Sequence, residues 1–312
     1  MSGFDRGPSA ARHDALHWRV TNPFAAGAPV GRRSGMQQPD REAFETLDAI
    51  ERPGARFEVL HYPALRGSAD LAVAEKIFPL NQARIRLKRV RVTLDKSEVP
   101  IEPGALYFMK GHLRLESGLA GGLAKSLPRT FATGETLFQS KIGGTGEVYL
   151  EPGFGHRALF DLERDARVSD KGAFCCASAG VAASARLQKN LSGALSGGEG
   201  FFQTAAEGSG ALVLKSPVPA AELLAYELAA GEKLSVDGNF AFVRSGGVQF
   251  HAEQSAKSLL QTVTSGELLL QTFTGPGTVW VAPTQGAYER IARAGGGTRL
   301  GEAPDGRGTK TG

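Results

Sequence analysis

The sequence predicts an all-β protein of three repeated antiparallel units with little helix, and three observations carry that expectation. Glycine supplies 41 of 312 residues, nearly twice the share of about 7% common in proteins, and it follows no collagen-like period. Glycines so distributed read as turn punctuation between short strands. One stretch also recurs three times. Gly266-Glu267-Leu268-Leu269-Leu270-Gln271-Thr272-Phe273 runs through Gly275-Pro276-Gly277 to Thr278-Val279-Trp280-Val281 and Pro283. Its earlier copies run from Gly134-Glu135 through Gly144-Thr145-Gly146 to Pro152, and from Gly198-Glu199 through Gly208-Ser209-Gly210 to Pro217. The spacing ahead of these copies matches as well: Leu94, Leu162 and Leu228 each stand ten residues before a glycine, Gly104, Gly172 and Gly238.

Along the chain, residues 1–55 are rich in Gly, Pro, Ala, Ser and Arg and read as mostly disordered. One short helix is expected over Asp40–Ile50, where Phe44, Leu47 and Ile50 recur three apart. Phe57–Tyr62 reads as a strand that Pro63 ends. Ser68 reads as the cap of a brief helix with Leu71, Ala74, Ile77 and Phe78 on one face. Arg84–Leu94 alternates like a strand, but its apolar phase switches from odd to even positions, so a bulge is expected near Lys88-Arg89. Each glycine of the repeat precedes a short strand: Ala105–Met109, Ala173–Ala177 and Asn239–Val243. Pro219–Leu228 has strong helix propensity, yet its partner ending at Leu162 leads into the same strand, so at most one helical turn is expected near Pro219.

The units therefore run over 94–152, 162–217 and 228–283, inside a single β domain of residues 56–285. None should bury its apolar face alone. A pseudo-threefold barrel or sandwich, resembling a double-stranded β-helix, is the expected architecture. Residues 286–312 read as a flexible tail with one turn of helix around Tyr288–Ala294.

Composition narrows the function classes. The net charge is +4, and 36 basic residues against 32 acidic leave little reason to expect a nucleic-acid binder. The N-terminus carries no secretory pattern. No uninterrupted apolar stretch reaches the roughly 20 residues of a membrane span, so a cytoplasmic protein is expected. The two cysteines are adjacent, Cys175-Cys176, and on a strand they face opposite sides, as apolar fillers in a reducing compartment. No nucleophile elbow is present, and Gly121–Ser126 lacks the glycine a phosphate loop needs before Lys125. His112 and His251, with Glu253, come nearest to a metal set and read better as ordinary surface or core histidines. No catalytic residue, cofactor or metal is expected.

Two residue sets remain as candidate sites. Under threefold symmetry Glu135, Glu199 and Glu267 with Gln139, Gln203 and Gln271 would form rings of carboxylates and amides about an axis. They would hold a small polar or cationic group, or simply satisfy backbone groups where strands converge. Arg84, Arg86, Lys88, Arg89 and Arg91 place five charges within eight residues. They would form either an anion patch for nucleic acid or membrane surface, or a solvated strand face.

Gly104-Ala105-Leu106-Tyr107-Phe108-Met109, Gly134-Glu135 and the closing Leu270–Phe273 with Gly275–Pro283 resemble the altered-inheritance-of-mitochondria family numbered twenty-four. The resemblance covers about residues 57–285. It implies a fold like that of the tryptophan RNA-binding attenuation protein, with fungal relatives linked to mitochondrial organisation and bacterial relatives of no assigned activity. It supplies no catalytic residues. The expected function is a non-enzymatic β scaffold that binds a partner protein, peptide or small ligand, with homo-oligomerisation left open. Nucleic-acid or anionic-membrane binding through residues 84–91 is the alternative.

Overall fold

A computed structural model describes residues 44–117, 140–170, 172–188, 201–237, 240–253 and 270–294. The described part is mostly strand and belongs to one compact unit. In chain order it comprises β1 (Glu45–Arg52), β2 (Ala55–His61), helix α1 (Leu71–Gln82), β3 (Lys88–Ile101), β4 (Leu106–Ser117), β5 (Ser140–Leu150) and β6 (His156–Asp170). There follow β7 (Phe174–Ala177), β8 (Val181–Gln188), β9 (Phe201–Ser216), β10 (Leu224–Leu228), β11 (Lys233–Asp237) and β12 (Ala241–Ser245). β13 (Gln249–Glu253), β14 (Leu270–Thr274), β15 (Gly277–Val281) and helix α2 (Gln285–Ala294) complete it.

One large sheet runs β1-β2-β3-β7-β9-β6-β12-β15-β10, with β5 bridging β3 and β4 and with β8 beside β9. A second sheet holds β11, β14 and β13. All pairings are antiparallel. The sequence suggested a barrel or sandwich, and neither sheet closes into a barrel: among the described residues β1 pairs only β2 and β10 only β15, so the large sheet is open at both ends there. The core lies in three apolar clusters. Val92, Ile101, Ile142 and Val148 anchor the first, Leu162, Leu212 and Leu214 the second, and Phe250, Phe273 and Val279 the third. Cys175 and Cys176 are free thiols buried together in the first cluster.

Several local expectations are corrected. Residues 45–52 form a strand rather than a helix: a two-residue turn at Pro53-Gly54, with Gly54 at φ 74°, folds them onto β2. Backbone pairing along β2 overrides a weak three-residue periodicity whose Leu47 stays exposed. Helix α1 is capped by Asp70, whose carboxylate accepts the Ala72 N–H at 2.8 Å, while Ser68 accepts the Asp70 N–H. Its apolar face is not packed as expected, since Leu71 is 74% and Phe78 67% exposed and only Leu80 is buried. The helical turn expected around Tyr288–Ala294 is present, as the longer helix Gln285–Ala294. Tyr288 ties that helix back by donating to the Glu222 carboxylate at 2.8 Å. Residues 219–228 do form a single 3₁₀ turn, Ala220–Glu222, and then strand β10.

The bulge expected at Lys88-Arg89 is absent. β2 and β3 pair without interruption from His61↔Lys88 to Ala55↔Leu94. The apolar phase switch marks the start of β3, because Arg84–Leu87 precede the strand. The irregularity falls between Leu94 and Ser97, where Lys96 has φ 47°. β6 repeats it between Glu163 and Asp165, with Arg164 at φ 53°. Opposite these two residues lie Gly144-Thr145-Gly146 and Gly208-Ser209-Gly210. Neither tripeptide is the turn the sequence suggests; each sits inside a long strand, β5 or β9. Their glycines allow a neighbouring chain to come close: a Cβ at Gly144 would collide with the His112 carbonyl, and one at Gly208 with the Gly180 carbonyl. Only Gly275-Pro276 separates two strands, at the point where the chain passes from the second sheet (β14) to the first (β15).

Candidate functional site

The basic run of residues 84–91 is drawn largely into the molecule. Lys88 donates its ammonium to the carbonyls of Phe154 (3.1 Å) and Arg86 (3.3 Å), and burial together with the Arg157 charge pushes its pKa down. Arg91 donates Nε to Glu58 Oε2 at 2.7 Å, and Arg56 reaches the other oxygen of the same carboxylate at 3.2 Å. Glu58 is only 3% exposed. Burial pushes its carboxyl up, but the hydrogen bonds and charges of Arg91 and Arg56 outweigh that and hold it below the usual range. Arg84 is exposed ahead of the strand, and Arg86 is half-buried.

Arg89 is the least expected of the five. It is 4% exposed, and its guanidinium carbon lies 5.3–5.8 Å from the ring centres of Phe44, Tyr62, Tyr107, Phe108 and Tyr149. The rings also pack on one another: Phe108 stacks on Tyr149 at 4.4 Å, and Phe44 meets Tyr62 edge-on at 4.7 Å. Arg89 Nε is buried with no hydrogen-bond partner among the described residues. The cage is assembled by strand pairing, since β3 sits between β2 and β5 and β5 carries β4. Tyr107-Phe108 and Tyr149 stood within recognised strands, but which charge they would enclose depends on register and was not legible.

Glu135, Glu199, Glu267 and Gln139 lie outside the described residues. The structure does bring Gln203 and Gln271 together, on the wall of one small cavity of about 10 Å³ that Asp170 and Arg244 also line. Arg244 donates to the Gln203 side-chain oxygen at 3.2 Å and to the Val248 carbonyl at 2.8 Å, and burial pushes the Asp170 carboxyl up. This space admits one water at most. The hydrogen bonds beside it join β12 to β9 and to the turn before β13. His112 and His251 sit on strands of different sheets, opposite Thr145 and Thr272 respectively.

A larger feature escaped the sequence reading. An open cavity of about 570 Å³ lies where the β1–β2 turn, the irregular part of β3, and the Arg164 bulge of β6 meet. Arg52, Arg164, Ser97, Ser178 and Ser209 contribute polar groups, and Pro53 and Ala179 apolar surface. Ser209, central in the second copy of the repeated Gly-x-Gly, was the signal that could have led to it.

β4 forms an outer surface of the fold. Among the described residues it pairs only with β5, and Tyr107, Phe108, Met109 and Leu115 along it are exposed, Tyr107 by 59%. No helix among the described residues is long and apolar enough to cross a membrane.

No curated protein matches the chain. Among solved structures it is similar to the Streptococcus pyogenes protein SPYM3_0169, with 20% identity and a TM-score of 0.50, covering 66% of this chain and 94% of that one. That likeness concerns the fold alone. Residues 82–284, from the end of α1 to the start of α2, match the family described as mitochondrial biogenesis AIM24, and the chain therefore belongs to that family.

Proposed function

We propose that the protein is a non-catalytic β scaffold that binds a partner protein, and that β4 receives an extended segment of that partner. The edge of β4 that has no strand partner among the described residues carries this reading: twelve residues long, it offers a row of backbone donors and acceptors flanked by exposed apolar side chains. From Phe108 onward the strand is two-faced, with Lys110, His112 and Arg114 on one side and Met109, Leu113 and Leu115 on the other. A segment with polar or acidic residues alternating with apolar ones is complementary to it. A second copy of β4 suits it less, because antiparallel pairing centred on His112 sets Lys110 opposite Arg114.

A pseudo-threefold scaffold is part of the same proposal. Three core clusters fall roughly one to each of the units 94–152, 162–217 and 228–283. The first two units share a left-handed residue opposite a Gly-x-Gly. The buried free thiols at Cys175 and Cys176 suit a reducing compartment.

The test is chemical crosslinking of the full-length protein in its native extract, with a Tyr107→Ser/Leu115→Lys variant alongside. A partner crosslinked through Lys110 in the wild type and lost from the folded variant supports the reading. Partners that crosslink elsewhere, or that ignore the double change, sink it. A dimer abolished by the same variant reassigns the edge to self-association.

A further inference from the structure

We propose that the 570 Å³ cavity beside Arg164 is a binding site for a small carboxylate ligand. Its volume lies in the range of small-molecule sites, roughly 300–1,000 Å³. The polar groups around it are rich in donors. Ser209 Oγ accepts the Arg164 backbone N–H at 2.9 Å, and Ser178 Oγ accepts the Ala211 N–H at 2.9 Å. Each hydroxyl oxygen thus accepts one bond from the protein and has its proton left to donate. Ser97 adds a third hydroxyl to the lining.

Two guanidinium groups set the charge. Arg52 pairs with Asp161 through one terminal nitrogen, while its Nε is buried without a hydrogen-bond partner among the described residues. The Arg52 side chain lines the cavity and is 28% exposed, so a carboxylate there that reached the guanidinium would add a charge-assisted hydrogen bond to the pair with Asp161. Arg164 has no ion-pair partner among the described residues, and its left-handed backbone at φ 53° sets it at the rim, out of the pleat of β6. Nearby acids are mostly engaged: Asp161 with Arg52 and Asp165 with Arg167. Glu163 also lines the space and makes an unselective site for polyanions less favourable. A compact ligand with one or two carboxylates and some apolar surface, to lie on the exposed Pro53 and Ala179, fits this balance. The inference is independent of the β4 edge, which the cavity does not include.

Calorimetric titration of the full-length protein at low ionic strength, with malonate, citrate and benzoate as probes, tests it. At least one probe is expected to saturate a single site. Arg164→Gln should weaken that binding tenfold or more without changing the melting temperature, and Arg52→Gln should do the same if it folds. Arg66→Gln, at an exposed arginine outside the lining, should leave it unchanged. Failure of all three probes to saturate overturns the proposal, and so does binding that survives Arg164→Gln. If Arg52→Gln does not fold, Arg164→Gln decides alone.

Discussion

The Thr145 hydroxyl accepts the backbone N–H of Lys96 at 3.0 Å, across the register break between β3 and β5. Ser209 does the same for Arg164 at 2.9 Å, across the break between β6 and β9. In both places an L-residue is held in the left-handed region, and a short hydroxyl side chain between two glycines accepts the N–H that this turn leaves without a ladder partner. Removing the hydroxyl with Thr145→Val should cost about 0.5–1.5 kcal/mol, as expected for one lost hydrogen bond. Lys96→Gly should behave unlike an ordinary strand glycine. It relieves a left-handed penalty of roughly 1–2 kcal/mol and adds about 0.4–1 kcal/mol of unfolded-chain entropy, so its net effect should be neutral to stabilising. Urea denaturation of both variants checks this, and a Lys96→Gly protein clearly less stable than wild type would refute it.

Gly277 offers a second test of where the backbone needs glycine. Its φ is 137°, and a Cβ there would collide with Ser245 Oγ and stand 2.8 Å from Val248 Cγ2. Ser245 Oγ is itself fixed, accepting the Thr278 N–H at 2.9 Å. Gly277→Ala should therefore destabilise by about 2 kcal/mol or more, from backbone strain and a displaced hydrogen bond together. Gly153 has no positive φ, and its added Cβ meets nothing nearer than 4.0 Å, so Gly153→Ala should change stability by less than about 0.5 kcal/mol. Equal melting temperatures for the two would remove the distinction.

These positions show how far the sequence could be read. The β character, the strand after each repeated glycine, and the strand at Leu224–Leu228 follow from periodicity and from matched spacing, both local properties. The tripeptides Gly144-Thr145-Gly146 and Gly208-Ser209-Gly210 were visible too, but as turns. Their glycines are required by a neighbouring strand, and no pattern within the tripeptide reveals that neighbour. The charges of β3 show the same limit. Five basic side chains in a row look alike, while the structure gives them different surroundings: carbonyls for Lys88, a carboxylate for Arg91, aromatic rings for Arg89. Register, which decides those surroundings, comes from pairing with strands up to about sixty residues away.

His156 gives a pH prediction. Burial, then the charge of Lys88, lowers its pKa from the usual 6.5 to about 4. Above pH 6.5 the imidazole is neutral in both folded and unfolded chains and contributes nothing to the pH dependence. Between about 6.5 and 4 the unfolded chain takes up the proton first, so stability falls as pH falls through that window. His156→Gln should flatten this part of the profile. A wild-type stability that stays level from pH 6.5 to 4, or a slope the variant keeps, would contradict it.

Arg89 poses the sharpest question of balance. A guanidinium taken out of water without a counter-ion costs several kcal/mol. Five ring faces within 6 Å return part of that, at about 0.5–2 kcal/mol each and not additively. The two contributions are of similar size, so the residue's larger role should be to fill the space among Phe44, Tyr62, Tyr107, Phe108 and Tyr149. Arg89→Ala would leave a hole between those rings and should cost about 2–4 kcal/mol. Arg89→Met keeps most of the volume and removes the buried charge, so it should lie within about 1 kcal/mol of wild type. Arg89→Lys keeps the charge but gives up the flat guanidinium that lies against ring faces, and should fall between the two. Thermal melts of the three variants separate the effects. If Met proves as damaging as Ala, attraction between the cation and the rings outweighs packing, and the cage holds the charge rather than the charge merely filling the cage.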